Sequence, residues 1–405
     1  MHRPHLLIAL SEDLTGISRL PRTLHAAGIH VSVLSPSQFL INRSRFVDQQ
    51  YRCKQGPDAV AQALHDILAD TSCTVDLAVL GDDALLKAVA LRAAEPWTHS
   101  ILPIDLQRVP ADIVHSKTVF IQALRGSLEK TLPRSWTCST SDQIQSAASQ
   151  LGFPLILKEA FGFAGSGVWK FSLMRELIAY MDSRSNSLDC IIQEFVPGSN
   201  LTVDVLFDRG HVRAWVSSQI LRTNNGPYGS SSARRFVCMP ELAPIVEELG
   251  RLTGAHGLCG LDFIYQFDTR RAVLLEVNFR PTAGHSLAQF AQLDFGKQMC
   301  AMLRNEPRGE VLQLTRDSVS IPMFPEDWER AITDKDWRGM LKWMFFPSYW
   351  KYLPWGDPAL LSQHGLNTLK RLAGYPSRVL ERMTKKPLSE KKAQRIASSD
   401  PGPTL

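Results

Sequence analysis

Short apolar runs alternate with helical patterns over the first 112 residues. The runs HLLIAL, HVSVLS and VDLAVLGDD have the length of buried strands, and ISRLPRTLHAAG and PDAVAQALHDILADT have helical spacing. Strands that alternate with helices of this length are typical of βαβ units and a parallel sheet. We therefore predict an N-terminal parallel α/β domain at residues 1–112. Its first loop lacks a Gly-x-Gly-x-x-Gly pattern, which argues against a dinucleotide site there.

From residue 113 to 310 the pattern changes to closely spaced strands. The runs FPLILKEA, CIIQEFV, LTVDVLF, HVRAWVSSQ, LDFIYQF and AVLLEVNF follow one another with short turns. This order predicts an α+β region with mainly antiparallel sheets. Helical patterns occur between the runs at 117–126, 141–151, 173–183, 241–254 and 287–303.

The remaining chain differs in composition. Residues 311–382 hold five of the nine tryptophans and include the run WMFFPSYWKYLPWGDP. Such aromatic crowding usually packs on neighbouring elements, and the alternative is a membrane-surface or partner contact by residues 328–355. Residues 383–405 are rich in Lys, Ser and Pro and poor in apolar groups, which predicts a disordered basic tail, with contact to an anionic surface as the alternative.

Composition and charge exclude several classes of protein. Of the 405 residues, 44% are hydrophobic and 21% are charged, which is ordinary for a globular protein. The first apolar stretch is short and runs into acidic residues, so it predicts neither a secretory signal nor a transmembrane segment, and we expect a cytoplasmic protein. The seven cysteines are scattered, which argues against a disulfide framework or a zinc site. From residue 316 onward, 15 Lys and Arg stand against 10 Asp and Glu, which equals the whole net charge of +5. The balanced main body therefore gives no indication of a nucleic-acid partner.

A glycine-bearing loop lies between two predicted strands in FPLILKEAFGFAGSGVWKF, residues 153–171. The first strand delivers Lys158, and the loop contains Gly165, Ser166 and Gly167. Glycines let backbone N–H groups approach an anion closely, and a neighbouring lysine adds positive charge at the same phosphates. The motif is not a P-loop, because no Gly-Lys-Ser/Thr opens a helix after it. An ordinary hairpin turn is the alternative.

A second candidate is the strand end CIIQEFVPG, residues 190–198. It contains Gln193, Glu194, Phe195 and Val196 before a Pro-Gly turn. The exposed backbone of such a connector can read an adenine edge while Phe195 or Val196 covers the face of the ring. Taken alone, the motif is also explained as an ordinary strand end.

Polar residues alternate in the run LLEVNFRP. Glu276, Asn278 and Arg280 occupy every second position, so they share one face of a strand. Asp262 in GLDFIYQF lies 14 residues before Glu276, and a hairpin through DTRR brings the two carboxylates side by side. Facing carboxylates repel, and a divalent cation is the usual compensation. With the neutral oxygen of Asn278, this set predicts Mg²⁺ or Mn²⁺ completed by phosphate oxygens, and Arg280 reaches a phosphoryl group or a substrate carboxylate.

The order and spacing of these motifs resemble the ATP-grasp superfamily, especially its carbamoyl-phosphate-synthase-like and carboxylate–amine ligase branches. The resemblance covers about residues 115–305. It implies a pre-ATP-grasp domain followed by a two-lobed ATP-grasp fold at 113–310. A small flap lobe would lie at about 113–195 and a larger metal-binding lobe at about 196–310.

The resemblance also implies a role for each matching residue. Lys158 would contact the α- and β-phosphates of ATP, and Arg280 would steady the transferred phosphate or the acyl acceptor. The adenine would lie at the hinge with Glu194 and Val196. Asn200 stands where the family commonly has a glutamate for the ribose, and Asp204 is the alternative if a bulge shifts the register, which leaves the ribose contact open. The remaining implied ligands are Lys117 for ATP and Asp262, Glu276 and Asn278 for two Mg²⁺ ions.

The implied activity is that of an ATP-dependent ligase. A substrate carboxylate would become an acyl phosphate, and an amine or thiol would then displace phosphate. Two alternatives stay open, namely another acceptor such as bicarbonate or carbamate, and a nucleotide-binding regulatory protein without turnover. Small-molecule substrates would be positioned by an arginine of segment 217–236, with Arg222 and Arg235 as candidates, if that segment is a loop bordering the active site, and an ordinary solvated loop is the alternative. His285 is a candidate for the acceptor pocket, with a structural histidine as the alternative. A homodimer is also left open.

Overall fold

The computed structural model describes most of the chain in two compact units. One, here called the main unit, contains the described residues of 1–133 and 196–363 together with Ala160, and the other, the small unit, contains those of 134–159, 167–195 and 364–373. The described residues are 3–72, 74–160, 167–183, 189–224, 226 and 229–373, with side chains described up to Lys370. The predicted tail at 383–405 lies outside them. The domain boundaries expected from the sequence stay a prediction.

The N-terminal part of the main unit is a parallel sheet flanked by helices. Its strand order is β3-β2-β1-β4, and all three pairings are parallel, as the alternating pattern predicted. Asp82 caps the helix that follows β4, because its carboxylate accepts the Leu85 N–H. The elements are β1 His5–Ala9, α1 Leu20–Ala26, β2 His30–Ser35, β3 Gln49–Arg52, α2 Pro57–Ala69, β4 Leu77–Leu80, α3 Asp83–Ala90 and α4 Lys117–Leu124.

The small unit contains an antiparallel sheet of order β5-β8-β6-β7, two helices, and residues 364–373 of the helix that ends the described chain. Thr140 and Gln143 form a capping box at the start of its first helix. Its core contains Leu157 and Ile192 from two paired strands and Leu177 from the second helix. The elements are β5 Ser135–Cys138, α5 Ser141–Leu151, β6 Leu155–Glu159, β7 Val168–Phe171, α6 Met174–Asp182 and β8 Cys190–Glu194.

A six-stranded antiparallel sheet forms the centre of the main unit. Its order is β13-β12-β9-β10-β11-β14. The strands are β9 Ser199–Asp208, β10 His211–Thr223, β11 Ser231–Val237, β12 Gly257–Gln266, β13 Arg271–Asn278 and β14 Ser320–Pro322. The helices after β11 are α7 Ala243–Thr253, α8 Ala283–Leu287, α9 Phe295–Leu303, α10 Glu326–Thr333, α11 Trp337–Phe345, α12 Pro347–Trp350 and α13 Pro358–Ala373.

One helix prediction is wrong. The segment 287–303 is not continuous, because α8 ends at Leu287, a 3₁₀ turn covers Ala288–Ala291, and α9 begins at Phe295. Gln292 has a left-handed backbone with φ 64°, which a continuing helix cannot contain. The Asp294 side chain then accepts the Lys297 N–H and caps α9.

One hydrophobic core joins the two sheets of the main unit. Leu6 and Ile8 of β1 belong to the same buried cluster as Leu206 of β9, Val216 of β10 and Phe236 of β11. The mixed fold, with one parallel sheet and two antiparallel sheets, confirms the predicted fold class. In the described part of the chain, no helix is long and apolar enough to cross a membrane.

Candidate functional site

The hairpin of β12 and β13 brings two carboxylates together. Asp262 lies directly opposite Glu276 in the antiparallel register, and Gly260 lies opposite Asn278. Arg270 in the connecting turn has a left-handed backbone with φ 52°. A register shift follows Asp262, so the strand is locally irregular next to the carboxylate pair. The structure therefore gives the acidic pair that the alternating sequence predicted.

The electrostatic environment of Asp262 disfavours its charged form. Burial, the adjacent Glu276 and the buried Asp204 raise the pKa of Asp262 from 3.8 to about 6, against hydrogen bonds from Thr202 and Asn278 that lower it. A carboxylate in this situation gains from a bound cation, since a cation offsets both burial and the neighbouring charge. The pair thus has the chemistry of a divalent-cation site.

The oxygens of Asp262 and Glu276 fit a cation that takes its remaining ligands from substrate phosphates and water. Among the described residues, no group of three or more His, Cys, Asp or Glu side chains is arranged to hold a metal ion. Mg²⁺ is commonly bound by one or two carboxylates with substrate phosphates and water completing the octahedron. In this conformation Asn278 Nδ2 donates to Asp262 Oδ2 at 3.1 Å, and Asn278 Oδ1 accepts from Arg280. Asn278 would therefore have to rotate before its oxygen could bind a cation beside Asp262.

Arg280 is held by a residue of the N-terminal sheet. Its Nε and one terminal nitrogen donate to the two carboxylate oxygens of Asp83, both at 2.7 Å. Asp83 is the first residue of α3, just beyond the carboxyl end of β4. Ligands of open α/β sheets bind at this edge of the sheet. Sequence reasoning missed Asp83, although the GDD that follows the strand run was the available signal.

One further charged group lies near the pair, and another lies near Asp83 and Arg280. Lys117 Nζ lies 3.8 Å from Glu276 Oε1, which brings the predicted ATP-binding lysine to the carboxylates. Glu12, just beyond β1, has a pKa raised by burial and by the nearby Asp82 and Asp83. Glu12 was also missed from the sequence, where it is part of SEDL.

A buried network fixes the segment that follows Arg280. Thr282 Oγ1 donates to the Asp204 carboxylate, and Arg234 donates to the other oxygen of Asp204 at 3.2 Å. A Cβ at Gly284 would overlap the Asp204 carboxylate, so only glycine fits there. Asp204 is fully buried and Arg234 nearly so. This network ties β9, β11 and α8 together.

His285 belongs to the same network and is fully buried. Its Nδ1 accepts the Thr282 backbone N–H at 3.0 Å, and its Nε2 lies 3.2 Å from the carbonyl of Val205, to which it donates in this tautomer. Burial lowers the pKa of His285, which favours the neutral ring that these hydrogen bonds require. Both ring nitrogens are thus used within the protein. A substrate contact by His285 stays a prediction.

The two candidate substrate arginines differ in their surroundings. Arg222 donates to both carboxylate oxygens of Asp327 at 2.8 and 3.0 Å, and it lines a cavity of about 320 Å³ together with Tyr349 and Tyr352. Arg235 is exposed, and its Nε donates to Ser320 Oγ at 3.2 Å. A substrate role for either arginine stays a prediction.

The predicted nucleotide residues of the small unit line β6 and β8. Lys158 on β6 is buried and lies opposite Ile191 of β8. Gln193 on β8 is also buried. Gly167 has φ 76°, and a Cβ there would lie 2.9 Å from Glu159 Oε2, which explains a glycine at this position. Gly165 and Ser166 lie outside the described residues.

The end of β8 carries the predicted adenine hinge. Arg134 Nε donates to Glu194 Oε2 at 2.8 Å, and Glu194 N–H donates to the Arg134 carbonyl. Lys170 Nζ lies 3.9 Å from the ring centroid of Phe195. Val196 and Asn200 belong to the main unit, and Asn200 is on β9 opposite Ile264. The contacts of these residues with ATP stay predictions.

Comparison with known proteins gives a family match over the central region. Residues 114–284 match the family described as "ATP-grasp domain". A D-alanine–D-alanine ligase of Pseudomonas putida strain GB-1 is 28% identical over 239 residues, which cover 55% of this chain and 72% of the ligase. The arginine-specific carbamoyl phosphate synthase large chain of Geobacillus stearothermophilus is 24% identical over 184 residues, which cover 42% of this chain and only 17% of the synthase.

Solved structures share the fold over most of the chain. The N5-carboxyaminoimidazole synthetase of Staphylococcus aureus has a TM-score of 0.61 at 13% identity, covering 78% of this chain and 80% of that one. The biotin carboxylase domain of the 2-oxoglutarate carboxylase of Hydrogenobacter thermophilus, solved with MgADP, ADP and bicarbonate, has a TM-score of 0.59 at 14% identity. It covers 76% of this chain and 71% of that one. At these identities the likeness is one of fold.

Proposed function

Since residues 114–284 match the ATP-grasp domain family, we propose that this chain is an ATP- and Mg²⁺-dependent ligase that activates a substrate carboxylate. The single observation that carries the proposal is the pair of Asp262 and Glu276 on neighbouring strands, with the pKa of Asp262 raised to about 6. A cation that binds there offsets the repulsion within the pair. Arg280 and Lys117 add positive charge at the same place.

The proposed reaction has two steps. A carboxylate oxygen of the substrate attacks the γ-phosphorus of ATP, the bond from that phosphorus to the bridging oxygen breaks, and ADP leaves. An amine or thiol then attacks the carbonyl carbon of the acyl phosphate, loses its proton, and displaces inorganic phosphate. Phosphoryl transfer depends mainly on alignment and charge neutralisation, so the reaction needs no covalent intermediate with the protein.

Several side chains would divide this work. Asp262 and Glu276, with Asn278 after rotation of its amide, would hold Mg²⁺, which supplies neutralisation of charge on the phosphates when bound. Arg280 would steady the phosphoryl group in transfer, and its bidentate contact with Asp83 keeps the guanidinium in one orientation. The proposal further assigns Lys117 and Lys158 to the phosphates of ATP.

The test measures ADP and phosphate release by the purified full chain. ATP, Mg²⁺ and pools of carboxylates and amines are supplied, a separate arm contains bicarbonate, and products are identified by mass spectrometry. Release that depends on one carboxylate and one amine supports the proposal. ADP and phosphate release only with bicarbonate would favour the alternative in which bicarbonate is the acceptor. Nucleotide binding without ADP release from any pool would favour a regulatory protein.

The Glu276→Gln variant tests the metal assignment. We expect Mg²⁺-dependent release to fall by about 100-fold or more, because one of two charged ligands is lost while the side-chain shape is kept. Glu247→Gln on α7 is the matched control, since Glu247 is exposed, and it should keep full activity. Unchanged activity in Glu276→Gln would exclude the proposed site.

A further inference from the structure

A buried tryptophan anchors the helix α11 to the main unit. Trp343 is buried, and its Nε1 donates to Asp327 Oδ2 at 3.2 Å. Its ring also packs against Phe324 and Tyr349, with ring centroids 5.6 and 5.1 Å apart. Asp327 is itself buried and paired with arginines, so the anchor is rigid. These contacts therefore fix the orientation of α11, and the side of the helix opposite Trp343 faces outward.

The outward side of α11 is apolar. Trp337, Leu341, Met344 and Phe345 follow the spacing i, i+4, i+7 and i+8, which places them on one side of a helix. Their exposed fractions are 60%, 38%, 47% and 67%. These four residues are here called the aromatic face. Scattered exposed apolar residues are ordinary, but a contiguous stripe indicates an interaction surface.

Further exposed rings follow the aromatic face along the chain. Phe346, Trp350 and Trp355 are all exposed. Trp350 Nε1 donates to the Trp343 carbonyl at 2.7 Å, and Trp355 Nε1 donates to the Trp350 carbonyl at 2.6 Å. These hydrogen bonds orient both indole rings and satisfy their only polar group. The rings are thus held in place without a partner molecule, at little further cost in conformational entropy on binding.

The charged residues within this segment are all basic, and the acidic Asp336 just before it caps α11 and is paired with Arg330. Residues 337–356 contain Arg338, Lys342 and Lys351 and no Asp or Glu. Arg338 and Lys342 are exposed and each follows a member of the aromatic face, so they border it on one side. The sequence beyond residue 373 adds seven Lys and Arg against three Asp and Glu.

Charge distinguishes the candidates that could cover the aromatic face. A second copy of the chain would bring the same three positive charges to the contact, and the C-terminal residues are also basic, so both would be repelled. A negatively charged surface is complementary instead. Exposed Trp and Phe together with Lys and Arg on one helix are typical of helices that lie in a membrane interface.

We propose that the aromatic face, with Arg338 and Lys342, binds the surface of an anionic lipid bilayer. The rings insert among the headgroups and the basic side chains remain at the level of the phosphates. Such a contact places the main unit on a membrane surface without any spanning segment. It is independent of the reaction proposed above.

Cosedimentation of the full chain with vesicles tests the proposal. We expect binding to vesicles with about 30% phosphatidylserine in phosphatidylcholine, weaker binding to phosphatidylcholine alone, and release as salt is raised. The double variant Trp337→Ser/Phe345→Ser should bind at least about tenfold more weakly. Replacing Arg338 and Lys342 by Gln should reduce binding about fivefold per charge, as expected for about 1 kcal/mol per basic residue.

The control variant is Phe267→Ser, which removes an exposed ring from the turn after β12 and should bind as the unchanged chain does. All variants are exposed substitutions, and equal melting temperatures confirm that each is folded. The proposal is overturned if the unchanged chain does not bind anionic vesicles at low salt, or if Trp337→Ser/Phe345→Ser binds equally well. A dimer in solution that this double variant dissociates would assign the face to a second copy instead.

Discussion

Replacing Asp262 by Asn should stabilise the metal-free protein at neutral pH. The substitution keeps the size of the side chain and an oxygen that can accept from Asn278. It removes one of the two facing negative charges. Asp262 would then be needed for function although its replacement makes the unliganded protein more stable. Such a trade-off between function and stability is common where charge is concentrated for binding.

The size of the effect follows from the pKa of Asp262. The value rises from 3.8 to about 6 on folding, mainly through burial and then through Glu276 and Asp204. Because the folded state holds the proton more tightly, this group favours folding most at pH below about 4, and its contribution declines as the pH rises from about 4 to about 6. A rise of about two units corresponds to about 3 kcal/mol at pH 7. That is an upper limit, since Asp262 is only partly buried and solvent screens it.

Thermal unfolding in EDTA measures the gain. We expect the melting temperature of Asp262→Asn to exceed that of the unchanged chain by up to about 4 °C at pH 7. At pH 5 the gain should be about half as large, because the folded chain still holds the proton there and the cost of the charged carboxylate is only partly developed. Addition of MgADP should raise the melting temperature of the unchanged chain and not that of the variant. Asp268→Asn, an exposed aspartate in the turn of the same hairpin, should change nothing.

Two results would refute this reasoning. A variant that is less stable than the unchanged chain in EDTA at pH 7 would show that Asp262 is stabilised by its surroundings. A gain of equal size at pH 5 and pH 7 would show that charge is not its cause.

Two further substitutions test the neighbourhood of the site. Arg280→Lys removes the bidentate contact with Asp83. We therefore expect kcat to fall about 100-fold with little change in the KM for ATP, as measured by steady-state kinetics. Normal turnover in this variant would contradict the proposed role of Arg280. Gly284→Ala forces a methyl group into the Asp204 carboxylate, so thermal unfolding should show a free energy of unfolding lowered by about 2–3 kcal/mol. The control is Gly309→Ala, which should be neutral because a Cβ there meets no atom within 4 Å. Equal melting temperatures for the two alanine variants would show that the segment after Arg280 can shift.

The sequence predicted the parts of the fold that depend on short-range patterns. Alternation in LLEVNFRP and the short turn before it were sufficient to pair Asp262 with Glu276, since a hairpin closes over few residues. The alternation of strands and helices at the start was sufficient to predict a parallel sheet. Both features depend on residues that are close together in the sequence, and a local sequence pattern contains information on such residues.

Contacts between distant segments could not be predicted in this way. Asp83 and Arg280 are 197 positions apart, and no periodicity relates them. The sequence left open whether His285 lines a pocket or is structural, and the β9 carbonyl that its ring contacts could not be predicted from the local pattern. The break between α8 and α9 depends on the left-handed backbone of one glutamine, a residue that ordinarily favours helices.

The contact of Asp83 with Arg280 has a consequence for the evolution of related sequences and for the design of chimeras. The two residues come from segments that recombination could exchange separately, yet each orients the other. A chimera that takes its N-terminal sheet from a relative without an acid at this position would leave the arginine unpaired, and we expect it to fold but lose activity. Restoring an aspartate at the start of α3 in such a chimera should recover it. The two positions are therefore expected to change together among relatives.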